Sequence, residues 1–212
     1  MKYSLSLFLF LLPSLLFGAL GFENNHNKQI MLLTAFDIEP SYLHDEKLND
    51  MLLAKKEPEA HKHYYDSMQS ARLFIPTIKK ILYGADIPPE FIYLAMAESY
   101  FTTKALSKKS AAGIWQFMPA TGRQYGLRID EYIDERRDPV KSTKAAARYL
   151  TSLHERFGKW YLAAMAYNCG EGCLLNAIKD AGERDDLFTL LDEKKKYLPR
   201  ETRNYIRKII AF

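Results

Sequence analysis

Beyond residue 21 the chain has no window of sustained apolar–polar alternation, whereas apolar residues recur at three- and four-residue intervals. A half-buried strand needs the first pattern and one face of a helix needs the second, so the chain is confined to a nearly all-helical fold. The punctuation between segments agrees, because proline suits a first helical position and glycine the position just past the last. Pro76 opens a helix reaching Tyr83-Gly84, Pro89 one running to about Tyr100, and Pro119 a short one ending near Gly126. Asp138-Pro139 caps and opens a long helix with Val140, Thr143, Ala147, Leu150 and Phe157 on one face and Gly158 as its stop. Trp160 to Asn168 follows, then Cys173 to Ala181, then a terminal helix from Pro199 through Ile210. With 48% hydrophobic and 26% charged residues among 212, disordered and polytopic membrane classes are excluded. The net charge of +4 comes without a concentrated basic stripe, which argues against nucleic acid and suits an anionic polymer or envelope surface.

The first 21 residues have their own logic. Lys2, an apolar run from Leu5 to Leu16, and the small residues Gly18, Ala19 and Gly21 before Glu23 are in the order of a secretory signal peptide, cut after Gly21. The alternative is an uncleaved anchor. Both leave the rest of the chain outside the cytoplasm. With no cysteine near the exit site, no lipid anchor is expected there. Residues 22–75, weakly phased, form a short helical N-terminal extension, and 76–212 the main domain. Cys169 and Cys173, four apart, are either a disulfide or a free pair. The run Lys194-Lys195-Lys196 is expected on a solvated helix edge. His26, His44, His61, His63 and His154 offer no third ligand at suggestive spacing, so no metal site is expected.

One carboxylate lies on the wrong face. Phe91, Leu94, Ala95 and Glu98 stack at i, i+3, i+4 and i+7, so Glu98 extends an apolar stripe. An ionised carboxylate there is unfavourable, and the group should keep its proton to higher pH than a surface Glu. Such an acid can protonate a departing glycosidic oxygen; the bland alternative is a solvated helix end or a pair with Arg72. Ser107 to Pro119 follows as a small-residue loop leading into Trp115, Gln116, Phe117 and Met118, which reads as a saccharide-cleft wall or, alternatively, as core aromatics around a turn at Gly113.

Taken together, Glu98-Ser99, Ser107, Gly113-Ile114-Trp115-Gln116 with Met118-Pro119-x-Thr121-Gly122, Ala166-Tyr167-Asn168-x-Gly170 and Arg203-Asn204-Tyr205 resemble, in order and spacing, the lytic murein transglycosylases of the soluble-lytic-transglycosylase type. The wording Ala111 to Gln116 and Thr121 to Leu127 is most similar to the membrane-bound D-type branch. The resemblance covers residues 72–210. It implies a compact, goose-lysozyme-like helical domain that cleaves the β-1,4 bond between N-acetylmuramic acid and N-acetylglucosamine in peptidoglycan without water, leaving 1,6-anhydromuramoyl ends. It implies Glu98 as the single acid/base, Ser107 and Gln116 contacting the acid or substrate, Met118 lining the cleft, Tyr167 and Asn168 facing Glu98, and the Tyr205 hydroxyl close to the carboxyl group.

The resemblance requires no cofactor or metal. Its expected partners are peptidoglycan strands, with envelope proteins as further partners, in a periplasmic or envelope location. Thr102-Thr103 departs from the family's usual Asn-Pro, Cys169 replaces a usual Ala, and the D-type branch's wall-binding repeats and lipid attachment are not found in this sequence. A hydrolysing goose-type muramidase and a non-catalytic peptidoglycan-binding or assembly factor are the competing readings.

Overall fold

The computed structural model describes residues 27–55 and 57–212. The leader reading of residues 1–21 lies outside them. In chain order the helices are α1 (residues 27–35), α2 (Glu46–Ala54), α3 (Pro58–Ala71), α4 (Ile75–Tyr83), α5 (Ile92–Ser99), α6 (Pro119–Gln124), α7 (Pro139–Phe157), α8 (Trp160–Cys169), α9 (Glu171–Asp180), α10 (Leu187–Leu190) and α11 (Arg200–Ile210). Single 3-10 turns lie at Pro40–His44, Pro89–Phe91 and Glu135–Arg137. The described residues contain isolated β-bridges but no strand, as the periodicity requires. No described helix is long and apolar enough to cross a membrane.

Helix α8 is the centre of the fold. Tyr161 through Ala166 are buried around its whole circumference, and it packs against α7, α9 and α11. Its run of alanines keeps the helix thin enough for neighbours to approach on every side. The long α7 is the best-specified element: Asp138 accepts from the amides of Val140 and Lys141 at 2.8 and 2.9 Å, Pro139 occupies the first turn, and Gly158, at φ 74°, ends it. Its buried face is Thr143, Ala146, Ala147, Leu150 and Leu153, while Val140 is exposed and Phe157 only partly covered. The expected face therefore holds through the middle of the helix, widened by Ala146 and Leu153, and is lost at its two ends.

Residues before 76 share the core. Leu33, Phe36, Tyr42 and Leu48 belong to the same buried cluster as α5, α7 and α8. Phe36 stacks on Phe91 at 4.4 Å, and the Asp37 carboxylate accepts the backbone N–H of Trp160 at 2.8 Å, satisfying one of the orphan donors at the start of α8. Asp45 caps α2 through the Leu48 amide at 2.8 Å and also binds the buried Arg207 guanidinium at 3.1 Å, tying α2 to α11. Arg207 and Arg203 share Glu193 at 2.8 and 3.0 Å, so α11 is clamped by charge as well as by Tyr205, Ile206, Ile209 and Ile210.

Three local expectations change. The segment opened by Pro89 begins as a 3-10 turn, because Pro88 and Pro89 have no N–H to give and the first turn closes on Pro88 O through the Phe91 amide at 2.9 Å. Helix α9 starts at Glu171, two residues early: Gly170, at φ 90° and ψ 150°, breaks the backbone between α8 and α9 in a conformation closed to other residues, and helix resumes at once. Lys194, Lys195 and Lys196 are exposed but lie in a turn whose Lys194 and Lys195 amides are held by the Asp192 carboxylate at 2.7 and 2.9 Å. Cys169 and Cys173 form a disulfide across the α8–α9 break, with Cα atoms 5.8 Å apart.

Candidate active site

Glu98 sits in the last turn of α5, one turn beyond Leu94 and Ala95, which are fully buried. The stripe thus carries the carboxyl group inward, into a cavity of about 590 Å³ formed by α2, α3, α5, α8 and α11. The phenolic O–H of Tyr205 donates to Glu98 Oε1 at 2.6 Å. Among the described residues no other side chain hydrogen-bonds that carboxyl group. Burial pushes its pKa up to about 7, against the lowering effects of the Tyr205 hydroxyl and the Lys208 charge; Glu201 adds to the rise. Burial, and then the Glu98 charge, hold the Tyr205 hydroxyl well above its usual range, so it is a donor at any relevant pH. Glu98 is thus half protonated near neutrality and oriented without a full ion pair.

Behind Glu98 the backbone turns sharply: Tyr100 and Phe101 both have positive φ, 50° and 59°. Two consecutive non-glycine residues in this region store strain that the packing around them must hold. Part of the hold comes from Ser99, whose hydroxyl donates to Ile114 O at 3.0 Å and joins the end of α5 to the loop over residues 105–118. A second tie is the Tyr167 hydroxyl, donating to Trp115 O at 2.7 Å. The third is Arg136. Its buried guanidinium donates to Ser110 O at 2.6 Å and Phe117 O at 2.9 Å while Asp134 neutralises it at 2.8 Å. Gly113, at φ 77°, lies so close to the backbone at Arg136 that a Cβ there would stand 1.8 Å from the Arg136 carbonyl oxygen.

The residues singled out in the sequence divide into two groups. Glu98, Asn168 and Tyr205 line one cavity. Asn168 Oδ1 accepts the Thr202 hydroxyl at 2.8 Å, which fixes the amide and turns its NH₂ group into the available donor. Tyr167 is spent on the loop rather than on Glu98, although its hydroxyl, raised by burial and then by the Glu98 charge, lies within the carboxylate's field. Ser107 and Gln116 also serve the loop. Ser107 Oγ accepts the Ala111 and Lys109 amides at 3.0 and 3.2 Å, and Gln116 Nε2 donates to Gly113 O at 2.8 Å. Neither hydrogen-bonds Glu98 in this structure. Met118 is 42% exposed at the start of α6. Trp115 and Phe117 do not form an open sugar-binding wall: both are buried, and the indole N–H donates to Thr143 Oγ1 at 2.9 Å. A buried indole needs such a partner, and α7 supplies it.

Sequence reading missed Lys55, Glu201, Asn204 and Lys208 in the cavity and Arg136 under the loop. A signal existed for three of them, since Glu201, Asn204, Tyr205 and Lys208 stand at i, i+3, i+4 and i+7 on α11, a polar stripe on an otherwise buried helix. Arg136, inside Asp134-Glu135-Arg136-Arg137-Asp138, looks like a solvated charge run and gave none. Glu201 also changes the count of carboxylates, because it borders the same cavity as Glu98. Among the described residues no three His, Cys, Asp or Glu side chains gather around a point that could hold an ion.

A helical core that presents one buried acid beside a tyrosine hydroxyl defines a class, and comparison with known proteins gives its family. The model described as the transglycosylase SLT domain matches residues 77–188, and the chain belongs to that family. It is 42% identical over 130 residues to the membrane-bound lytic murein transglycosylase D of Escherichia coli strain K12, a match covering 59% of this chain and 27% of that protein. It is 37% identical over 107 residues to the peptidoglycan transglycosylase gp16 of Escherichia phage T7, covering 50% of this chain and 8% of that protein. The chain therefore spans about a quarter or less of these curated relatives. Among solved structures, the 70 kDa soluble lytic transglycosylase of Escherichia coli superposes with a TM-score of 0.53 at 22% identity, over 89% of this chain and 28% of that one. The shared fold is the lysozyme-like helical domain expected from the motifs.

Proposed function

We propose that the chain is a peptidoglycan lytic transglycosylase, cleaving the MurNAc-β-1,4-GlcNAc bond without water, with Glu98 as the single general acid/base. The observation that carries this reading is the Glu98–Tyr205 pair in its cavity: an acid that retains its proton near neutral pH, held by a neutral donor. Protonated Glu98 gives its proton to the glycosidic oxygen as the C1–O bond breaks, releasing the N-acetylglucosamine hydroxyl. The substrate's own N-acetyl oxygen shields the positive charge at C1, as in substrate-assisted glycosidases. The Glu98 carboxylate then takes the proton of the muramoyl C6 hydroxyl as O6 bonds to C1, which returns the acid to its starting state. The Tyr205 O–H stabilises the carboxylate between the two steps.

In this reading Asn168 offers its NH₂ group to the sugar, and Met118 borders the cleft. Ser107, Gln116 and Tyr167 act by holding the loop. The catalytic domain is residues 76–212 with residues 22–75 as its extension, the leader directs the chain to the periplasm or envelope, and peptidoglycan strands are the partner. One observation favours hydrolysis as a second reading: Glu201, a second carboxylate on the cavity, could activate a water. Mass spectrometry of fragments released from purified peptidoglycan separates the two. Products one water lighter than those of a lysozyme digest, lost in Glu98→Gln, support the transglycosylase; hydrated products make it a muramidase; and glycan binding without products makes it a wall-binding factor.

A further inference from the structure

The cavity over Glu98 contains two ammonium groups that the proposed reaction does not use. Lys208, on α11, donates to Ala97 O at 2.7 Å, the carbonyl just before Glu98. Lys55, at the end of α2, places Nζ 3.3 Å from the centroid of the Phe212 ring, and Lys208 Nζ lies 5.8 Å from the same centroid and 4.9 Å from that of Tyr100. Two cations therefore crowd one aromatic ring. Among the described residues neither is part of an ion pair. Burial and then the Lys208 charge pull the Lys55 ammonium down to about 8, and burial lowers Lys208. The Glu98 charge supports the Lys208 ammonium only when that carboxyl group has lost its proton, and neither lysine has an acid within ion-pair distance among the described residues. Two like charges so placed and partly removed from water destabilise the empty site, and an anion entering it relieves both the desolvation and the repulsion. The arrangement is held in place: Asp45 caps the start of α2 and binds Arg207, the neighbour of Lys208, so the two lysines are brought together by the same clamp.

We propose that Lys55 and Lys208 form a carboxylate-recognising subsite, through which the N-terminal extension reads the acidic substituent of the muramoyl residue next to the bond cut at Glu98. The inference rests on the proposed function, which puts a glycan in this cavity. The amino sugars of such a strand are otherwise neutral, and its carboxylates hang from the lactyl ether of the muramoyl ring, either directly or through a stem peptide. A site for neutral sugar alone has no use for two unpaired ammonium groups, whereas a carboxylate meets both, each contributing charge-assisted hydrogen bonds.

The test is calorimetric binding to the full chain carrying Glu98→Gln, which prevents turnover. Three versions of one muramoyl-containing tetrasaccharide serve as probes: with peptide stems, with free lactyl carboxylates, and with those carboxylates converted to neutral methyl amides. An anionic probe is expected to bind roughly tenfold more tightly than the neutral one, with Lys55→Met added removing most of that preference and Lys55→Arg retaining it. The stem-bearing probe binding tighter identifies peptide carboxylates as the ligand; the bare lactyl probe binding tighter identifies the lactyl group. Equal affinity for all three probes, or an equal loss on all three in Lys55→Met, overturns the subsite. Cleavage is scored separately in the chain with Glu98 intact, so charge-selective binding without cleavage would sink the proposed reaction and leave this subsite standing.

Discussion

Replacing Glu98 by Gln should make the protein more stable at neutral pH while abolishing its chemistry. Below about pH 4 the carboxyl group is protonated in both the folded and the unfolded chain, and the substitution changes little. As the pH rises through the ordinary Glu value of 4.5 the unfolded chain ionises, but the folded one holds its proton until about 7. The folded state binds the extra proton across that window, so wild-type stability falls with rising pH and levels off above 7. The rise from 4.5 to about 7 corresponds to about 3 kcal/mol at roughly 1.4 kcal/mol per unit, an upper figure because the side chain is partly open to the cavity. Gln keeps an acceptor for the Tyr205 hydroxyl and carries no charge, so it avoids this penalty. In thermal unfolding of a chain this size that is an increase of roughly 6 to 12 °C at pH 8, shrinking to almost nothing at pH 4. The matching kinetic expectation is a decline of wild-type kcat/KM above about pH 7 as the acid form is lost. Parallel pH–stability curves for wild type and Glu98→Gln would refute the desolvated acid, whatever the activities.

Further outcomes follow from the same geometry. Tyr205→Phe removes the donor that opposes the effect of burial on Glu98, so the alkaline limb of kcat/KM should move to higher pH; kcat should fall roughly 10- to 100-fold from loss of a hydrogen bond to a charged group, read by a full pH–rate profile. Gly113→Ala must both occupy positive φ and intrude on the Arg136 carbonyl, and calorimetry should show a loss of at least about 2 kcal/mol with activity falling in step. Reducing the Cys169–Cys173 bridge, which closes a loop of only a few residues, should lower stability by about 2 kcal/mol or less in a denaturant titration.

The order of helices could be read from the sequence because each start and stop is local: Asp138-Pro139 and Gly158 fix α7 without help from elsewhere. Glu98 was also legible as a candidate, since a carboxylate at i+7 of an apolar stripe points inward unless the stripe reaches a solvated helix end, and the motifs around it favoured the first. Which face a residue shows across the fold was not. Trp115 and Phe117 look the same in a row of letters whether they stack on sugar or fill a core, and only the Thr143 hydroxyl opposite the indole decides it. Ser107, Gln116 and Tyr167 carry polar groups apt for substrate, yet each is satisfied by loop backbone, a pairing set by the positive-φ turns at Gly113 and Gln116. The lysine pair was illegible for another reason: Lys55 and Lys208 are brought together by tertiary contacts, the Asp45–Arg207 clamp among them, and no spacing rule links the end of α2 to α11.

The clamp between Asp45 and Arg207 joins residues 162 positions apart, and the Tyr205–Glu98 bond spans 107. Closing a loop of the larger size carries an entropic penalty of about 4–5 kcal/mol, and such distant contacts make for slow folding. A chain made from its N-terminus thus carries Glu98 as an ordinary solvated carboxylate until α11 exists. At the usual pace of synthesis that interval is roughly 5 to 20 s. The proposed acid therefore acquires its raised pKa only when the last helix arrives to cover it, and the distance along the chain sets that delay.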